Sequence, residues 1–401
     1  MSKTVTENAA VDSEESAWLQ NLRQNAQILL QQAPFPDSSM ESWRKISLNN
    51  FSVDEFKDIG KSPLDTIQLQ KTHGMDGVYI EDLRNLDNKS QGYIRERFAA
   101  LLEKYKNDYF ALYALANFSQ GIYIQTSDNV VVQNQIALHF NMQTGANFLS
   151  TLVFVHVGKF SKMDILEHTT TETEKNALAV AFSDFNLQES ASVTLSEINE
   201  FHSALAHFKT VHIQQKKDSH VSGFHFHTGG LKGKTFYHSE LAGSGAGLVL
   251  NGIAELSHRQ FNDIEMKASH LQDNTSSRIL FKTILAGKSH NVFTGNLYIP
   301  ENKKHIVASQ TNHNLLVEKT ARAESIPALE VFSQDVQCHH GATVGELDEE
   351  LVFYLNSRGL DELEAKSIII GAFLLSILDE HPDRDSVMII KKILEQKGYN
   401  L

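Results

Sequence analysis

From Gly121 onward, for about two hundred residues, the chain keeps to one grammar. Short runs rich in Val, Ile, Thr, Phe and Tyr are parted by brief turns of Gly, Asn, Asp or Ser, with no helical period between them. Thr151 to Val157, Ala191 to Ile198, Gly247 to Ala254, Arg278 to Leu285 and Asn291 to Ile299 are examples. In Asn262 to Ala268 the alternation is regular, with Ile264, Met266 and Ala268 on one side and Asp263, Glu265 and Lys267 on the other. That pattern predicts one core face and one wet face. So long a series of strands exceeds what one sandwich holds, whereas stacked coils extend a core indefinitely. The expectation is a mainly β solenoid. No strict sequence repeat marks its coils, and Asn251-Gly252 and Thr294-Gly295-Asn296 are also compatible with hairpins.

Helical patterns flank this region. Trp18, Leu19, Leu22, Ala26, Leu29 and Leu30 follow a helical period from Ala17 to about Gln32, ended by Pro34 and Pro36. Ser90 to Leu115 reads as helix again, and Trp43 reads as an aromatic packing anchor beside Arg44 and Lys45. After Thr343 the chain reads as helical to its end: Glu346 to Asn356 closed by Gly359, a helix N-capped by Asp361, and a last one from Asp385 to Gln396. The expected organisation is a disordered lead-in (1–16), a helical region (17–120), the solenoid (121–342) and a C-terminal helical region (343–401). Because a solenoid exposes an open edge and an apolar end, the terminal helices are expected to cover them.

Charge and composition narrow the partners. A formal net charge of -13 argues against nucleic acid, whose phosphates demand a basic face. The single cysteine cannot form an internal disulfide. The acidic first residues lack an apolar targeting core. No window approaches the roughly 18 consecutive apolar residues that span a bilayer, the richest run being Ser367 to Leu378. A cytoplasmic protein without membrane contact is expected.

Three stretches carry candidate chemistry. Thr228 to Thr235 places its glycines at Gly229 and Gly230, out of register for a phosphate loop, and continues as strand, so a tight turn is predicted. His220, His225, His227 and His238 invite a metal, with His225 and His227 on one strand face, but lack the spacing of a zinc site. In Asp335 to Gly359 the only cysteine, Cys338, precedes His339 and His340 where the strand period gives way to a helical one. Residues two apart share a strand face, so Cys338 and His340 can meet one ion or one partner surface with His339 opposed. The other reading of Cys338 is a small core hydrophobe. No Gly-x-Ser-x-Gly elbow or paired-carboxylate motif is present.

Val336-Gln-Cys-His-His-Gly-Ala-Thr-Val-Gly-Glu-Leu-Asp-Glu-Glu350 and Phe353-Tyr-Leu-Asn-Ser-Arg-Gly359 resemble the C-terminal signature of the SufB/SufD proteins of the Suf iron–sulfur cluster assembly system. Asn274-Thr-Ser-Ser-Arg278, Asn314-Leu-Leu-Val317 and Glu41-Ser-Trp-Arg-Lys45 extend the likeness. His-Gly-Ala-Thr at His340 to Thr343 is similar to SufD, where SufB carries Glu in place of the Gly, and no cysteine stands near Ala321 as it does in SufB.

The resemblance implies a right-handed parallel β-helix between helical regions and a non-enzymatic, SufD-type subunit. Its implied partners are a SufB-type paralogue and a SufC-type ATPase, a homodimer in isolation and an obligate heterocomplex both being open. By carry-over, His340 and Cys338 handle iron or cluster. They form with His339 the partner interface, while Phe353, Tyr354 and Arg358 lie in the ATPase-docking region. No cofactor is expected to stay on this chain alone, iron or a nascent cluster passing transiently at the interface. A SufB-type scaffold and a β-helix enzyme acting on polysaccharide are the rival readings.

Overall fold

A computed structural model of the protein describes residues 16–56, 76–142, 145–172 and 175–401. All of the expected disordered lead-in but Ser16 therefore lies outside the described residues.

The helix α1 spans Ala17–Gln32, with Leu19, Leu22 and Ala26 on its buried stripe. Ser90 to Leu115 is two helices rather than one, α2 (Asn88–Lys104) and α3 (Tyr109–Asn117). Asp108 ends the continuity by accepting a hydrogen bond from the Ala111 amide as N-cap of α3, as Asp87 does for α2. Ahead of them an unexpected strand, β1 (Val78–Asp82), pairs antiparallel with the first solenoid strand.

The solenoid follows in chain order: β2 (Gln120–Thr126), β3 (Ile136–Met142), β4 (Phe148–Val157), β5 (Lys162–Thr171), β6 (Ala177–Leu187) and β7 (Ser192–Phe201). Then come β8 (Leu205–Gln215), β9 (His220–Gly229), β10 (Lys232–Leu241), β11 (Gly247–Leu256) and β12 (Phe261–His270). The last are β13 (Ser276–Leu285), β14 (His290–Ile299), β15 (Lys304–Leu316), β16 (Arg322–Val331) and β17 (Asp335–Glu346). Even-numbered strands stack in one parallel sheet, to which β1 adds at the edge, and odd-numbered strands stack in another. Each coil therefore contributes one strand to each sheet. The hairpins that the Asn and Gly clusters allowed do not form, because every neighbour in the ladders from β2 onward is a coil away. Coil-to-coil contacts recur at spacings such as 29 residues for the buried Asn262–Asn291 bond and 32 for Thr126 to the Gly158 amide. The repeat is one of length and side-chain direction, with little identity between coils.

Between the sheets lies one apolar core that includes Ile124, Val155, Phe185, Leu250, Phe281 and Ile299. Contrary to the expectation that they would cover the solenoid's open edge and end, the terminal helices cover its two outer faces. Residues of α1, α2 and α3 pack on Leu152, Phe154, Leu178, Val180, Phe182 and Phe208 of the even sheet. Helices α5 (Glu362–Leu378) and α6 (Arg384–Gln396) pack Ile370, Leu374, Ile377, Ile390 and Leu394 on Leu166, Ile198, Phe224, Phe226, Ile253 and Ile284 of the odd sheet. The physical reason is in the strands: their outward positions also carry large apolar side chains, which need covering.

The same cover corrects the wet face expected of β12. Ile264, Met266 and Ala268 are fully buried as predicted, but Asp263 is also buried, its charge met by Lys234 Nζ at 3.0 Å. The C-terminal helices start later than expected. Strand β17 continues to Glu346, held to β15 through the pair Leu316–Glu346, and α4 spans Glu349–Ser357 with Asp348 as its N-cap. Asp361 caps α5 as predicted, in a reciprocal capping box with Glu364.

Candidate functional site

The last coil presents two strands with a neighbour on one side only: β16 pairs with β14, and β17 with β15. Along β17, Cys338 lies beside Ala308 and His340 beside Gln310. Ala308 and Gln310 are buried, so Cys338 and His340 share the face that continues the solenoid interior, while His339, beside Ser309, takes the opposite one. Among the described residues no further coil covers that face. His340 is accordingly exposed, and Cys338 is half-buried against the core. Burial raises the Cys338 thiol above its ordinary value, which keeps it protonated at neutral pH until a metal or base draws the proton away.

Beneath this pair the interior is polar and hydrogen-bonded. Asn314 Nδ2 donates to Asn312 Oδ1 at 2.6 Å, Ser325 Oγ at 3.2 Å and the Thr343 carbonyl at 3.1 Å. Ser325 Oγ donates to Asn312 Oδ1 at 2.5 Å, and Gln310 Nε2 to the Ala328 carbonyl at 3.3 Å. Around the open end stand the exposed apolar side chains Val307, Leu329, Phe332 and Val344. Pro327 sits in β16, an edge strand, where a missing amide is tolerated.

Among the expected docking residues, Phe353 is 74% exposed and Tyr354 51%, beside Leu351 at 41% on the same helix. The Arg358 guanidinium lies 5.2 Å from the centre of the Tyr354 ring. Leu363, at the start of α5, is 80% exposed. Of the nine residues of α4 only Val352 is buried, so this helix rests on the molecule by one contact line and leaves the rest of its apolar surface uncovered.

The four histidines of the earlier cluster do not converge. His225 and His227 share the inward face of β9 with parallel rings 6.2 Å apart. His220 is exposed at the start of that strand, and His238 lies on β10 in the other sheet, with the Tyr105 hydroxyl 3.4 Å from its Nδ1. A residue the sequence did not single out, His207, meets His227 instead, with ring centres 4.6 Å apart. Burial lowers His207 to about 3, and it lowers His227 well below the ordinary imidazole value.

One layer further along the interior is a second unanticipated group. Lys209 Nζ bonds Glu167 at 2.6 Å and Glu197 at 3.4 Å, while Asn199 and the Tyr237 hydroxyl donate to Glu197. Burial pushes the Glu197 carboxyl up, but Lys209, His225 and Tyr237 together hold it well below its usual range. These residues come from strands of successive coils, up to 42 positions apart for the bonded pair Lys209 and Glu167, so only knowledge of the coil length could have brought them together from sequence.

The Thr228–Thr235 stretch is the tight corner between β9 and β10. Gly229 and Gly230 take φ of 85° and 73°, and a Cβ on Gly229 would lie 1.7 Å from the Phe201 carbonyl oxygen. Among the described residues no group of three or more His, Cys, Asp or Glu is placed to hold a metal ion. Among them, too, no helix is long and apolar enough to cross a membrane.

Residues 140–373 match the family described as the SufBD core domain of the SUF system for FeS cluster assembly. The chain is 27% identical over 249 residues to the iron–sulfur cluster assembly protein SufD of Escherichia coli, a match covering 61% of this chain and 58% of that protein. It is 24% identical over 413 residues to an iron–sulfur cluster assembly SufBD family protein of Synechocystis, covering 95% of this chain and 91% of the relative. The chloroplastic protein ABCI7 of Arabidopsis thaliana is 26% identical over 271 residues, covering 65% and 57%.

Proposed function

The chain belongs to the SufBD family of iron–sulfur cluster assembly proteins, and from that premise we propose that it is a SufD-type subunit that joins a SufB-type paralogue at its open coil and docks a SufC-type ATPase through α4 and the start of α5. The family is one of assembly proteins, which sets aside the carbohydrate-active enzyme.

The observation that carries this reading is the uncovered last coil. Strands β16 and β17 offer unpaired backbone groups on one side, and Val307, Leu329, Phe332 and Val344 surround them with apolar surface. An exposed strand edge of this kind is a liability in a free protein and a ready template for a partner strand. Cys338 and His340 lie within it, facing along the interior toward whatever chain continues the coil. Two ligands leave a cluster's coordination incomplete, so the remaining ones come from the partner, and iron or cluster is cargo of the joint site. The SufD-type assignment rests on Gly341 after His340, on the absence of a cysteine near Ala321, and on the likeness to the SufD of E. coli.

The test is co-expression with the SufB-type and SufC-type proteins of the same cell, followed by purification through this chain. Both are expected to co-purify. Leu329→Asp with Val344→Asp should release the SufB-type chain alone, and Phe353→Asp with Leu363→Asp the ATPase alone. Absence of any stable complex from the unmodified chain would sink the proposal.

A further inference from the structure

Where the N-terminal region meets the outer face of the even sheet there is a cleft of about 80 Å³, lined by Trp43, Asp108, Phe110, Phe208, Lys234 and Glu265 among others. Its walls are aromatic: Phe110 and Phe208 stack with ring centres 3.7 Å apart, and Trp43 lies 5.4 Å from Phe110 and 5.9 Å from Phe208. Trp43 is thus a packing anchor, as the sequence suggested, but only half-buried, with one part of its ring left to the cleft. The space is too small for a nucleotide and fits a group of side-chain size.

Among the described residues, the charges that reach the cleft, counted with Asp263 beneath it, do not balance. Lys234 Nζ bonds both Asp263 and Glu265 at 3.0 Å and stands 5.7 Å over the Trp43 ring, so one cation already serves two carboxylates. Asp108 adds a third, whose hydrogen bond comes from the Ala111 amide that it caps. The Lys209 ammonium gives no relief, because it is bonded to Glu167 and Glu197 in the solenoid interior. The titration of the carboxyls agrees with this shortfall of positive charge: burial raises Asp263 to about 6 despite Lys234, and burial raises Asp108 as well.

We propose that this cleft binds the cationic head of an organic amine or guanidine, set against the Trp43 and Phe208 rings and compensating the Asp108 and Glu265 carboxylates. Both halves of the site favour such a ligand. Ring faces attract a desolvated cation, and Lys234 over Trp43 already shows that attraction within the chain. A guanidinium presents paired donors that match a carboxylate. An anion would meet the Asp108 and Glu265 carboxylates, and a neutral group would leave the excess charge unmet. The ligand is either a free small amine or an arginyl or lysyl side chain of a peptide; the chemistry recognised is the same. This inference is independent of the partners proposed above.

The test uses the full chain with Trp18→Phe, which leaves Trp43 as the one indole, labelled with ¹⁵N. The Trp43 indole resonance is followed during titration with agmatine, with the peptide acetyl-Gly-Arg-Gly-amide, and with neutral butylurea, at constant ionic strength. A saturable shift with either cationic ligand and none with butylurea is the expected result. Agmatine alone points to a free amine; the peptide binding as well points to a side chain. Glu265→Gln should weaken binding about tenfold, the loss of one charge-assisted contact. No saturable shift with either cation, or an equal shift with butylurea, overturns the proposal whether or not the Glu265 variant folds.

Discussion

Lowering the pH from 6.5 to 5 should remove about 4 kcal/mol of folding stability, and the reason is a set of histidines buried in neutral form. Burial lowers His207 to about 3 and His270 and His381 to about 4, against an ordinary value of 6.5. All three are at most 4% exposed. A base whose folded value lies below its unfolded one binds fewer protons when folded, so its contribution is whole above pH 6.5. It is lost as pH falls from 6.5 toward 3 or 4. Each such group costs up to about 1.4 kcal/mol per pH unit in that window, and because each is half titrated in the unfolded chain at pH 6.5, three cost about 5 kcal/mol between pH 6.5 and 5.

Asp263 opposes them. Its folded value of about 6 lies above its unfolded 3.8, so it gains stability as pH falls through 6 and returns about 1 kcal/mol at pH 5. The net uptake on unfolding is about two protons near pH 5.5. Because domains are stable by only about 5–15 kcal/mol, the loss should be plain in urea melts followed by circular dichroism at pH 7.5, 6.5, 5.5 and 5.0. His270 supplies a control, since its Nδ1 and Nε2 lie 2.8 and 2.9 Å from the hydroxyls of Thr275 and Ser277. His270→Gln keeps polar atoms there without a titrating group and should reduce the slope of stability against pH by about one proton. A flat profile between pH 7.5 and 5, or an unaltered slope in the variant, would refute the reasoning.

Other perturbations bear on different parts of the molecule. His340→Ala should impair cluster assembly by the reconstituted complex while the complex itself still co-purifies, and Cys338→Ser should be milder; an unfolded Cys338→Ser protein would instead mark the cysteine as core. Lys209→Met strands Glu167 and Glu197 in the interior and should cost about 3–5 kcal/mol in urea melts; a neutral outcome would mean that the two acids are compensated elsewhere. Gly229→Ala drives a methyl group into the Phe201 carbonyl oxygen at a φ of 85°, and should lower the soluble yield or cost about 3 kcal/mol or more.

The solenoid was legible because strand period and turn residues are local signals. The Asp361 cap and the first helix were legible for the same reason. What stayed hidden depends on the coil. Asp263 read as a solvent-facing residue because alternation reports two faces but not whether a distant segment covers the outer one. His207 escaped notice beside the conspicuous His225 and His227, since its approach to them follows from the stacking of coils. At the candidate site, the shared face of Cys338 and His340 follows from the strand period, whereas their exposure does not. It comes from there being no coil after β17, and from helices that turn aside to pack on the faces.

The two ends of the solenoid differ in a way that sets how many chains can join. At the start, β2 and β3 are almost wholly buried; at the finish, β17 is exposed along most of its length. A stack sticky at both ends would propagate head to tail as a filament, but a stack with one reactive end has a valence of one. On the proposed pairing, two such chains meeting end to end would satisfy each other's open coil and leave only side surfaces, such as the exposed face of α4, for a different partner. On that reading geometry would limit the length of the stack, and its junction would fall at the midpoint, with the Cys338–His340 stretch of this chain and the partner's equivalent in a single shared plane.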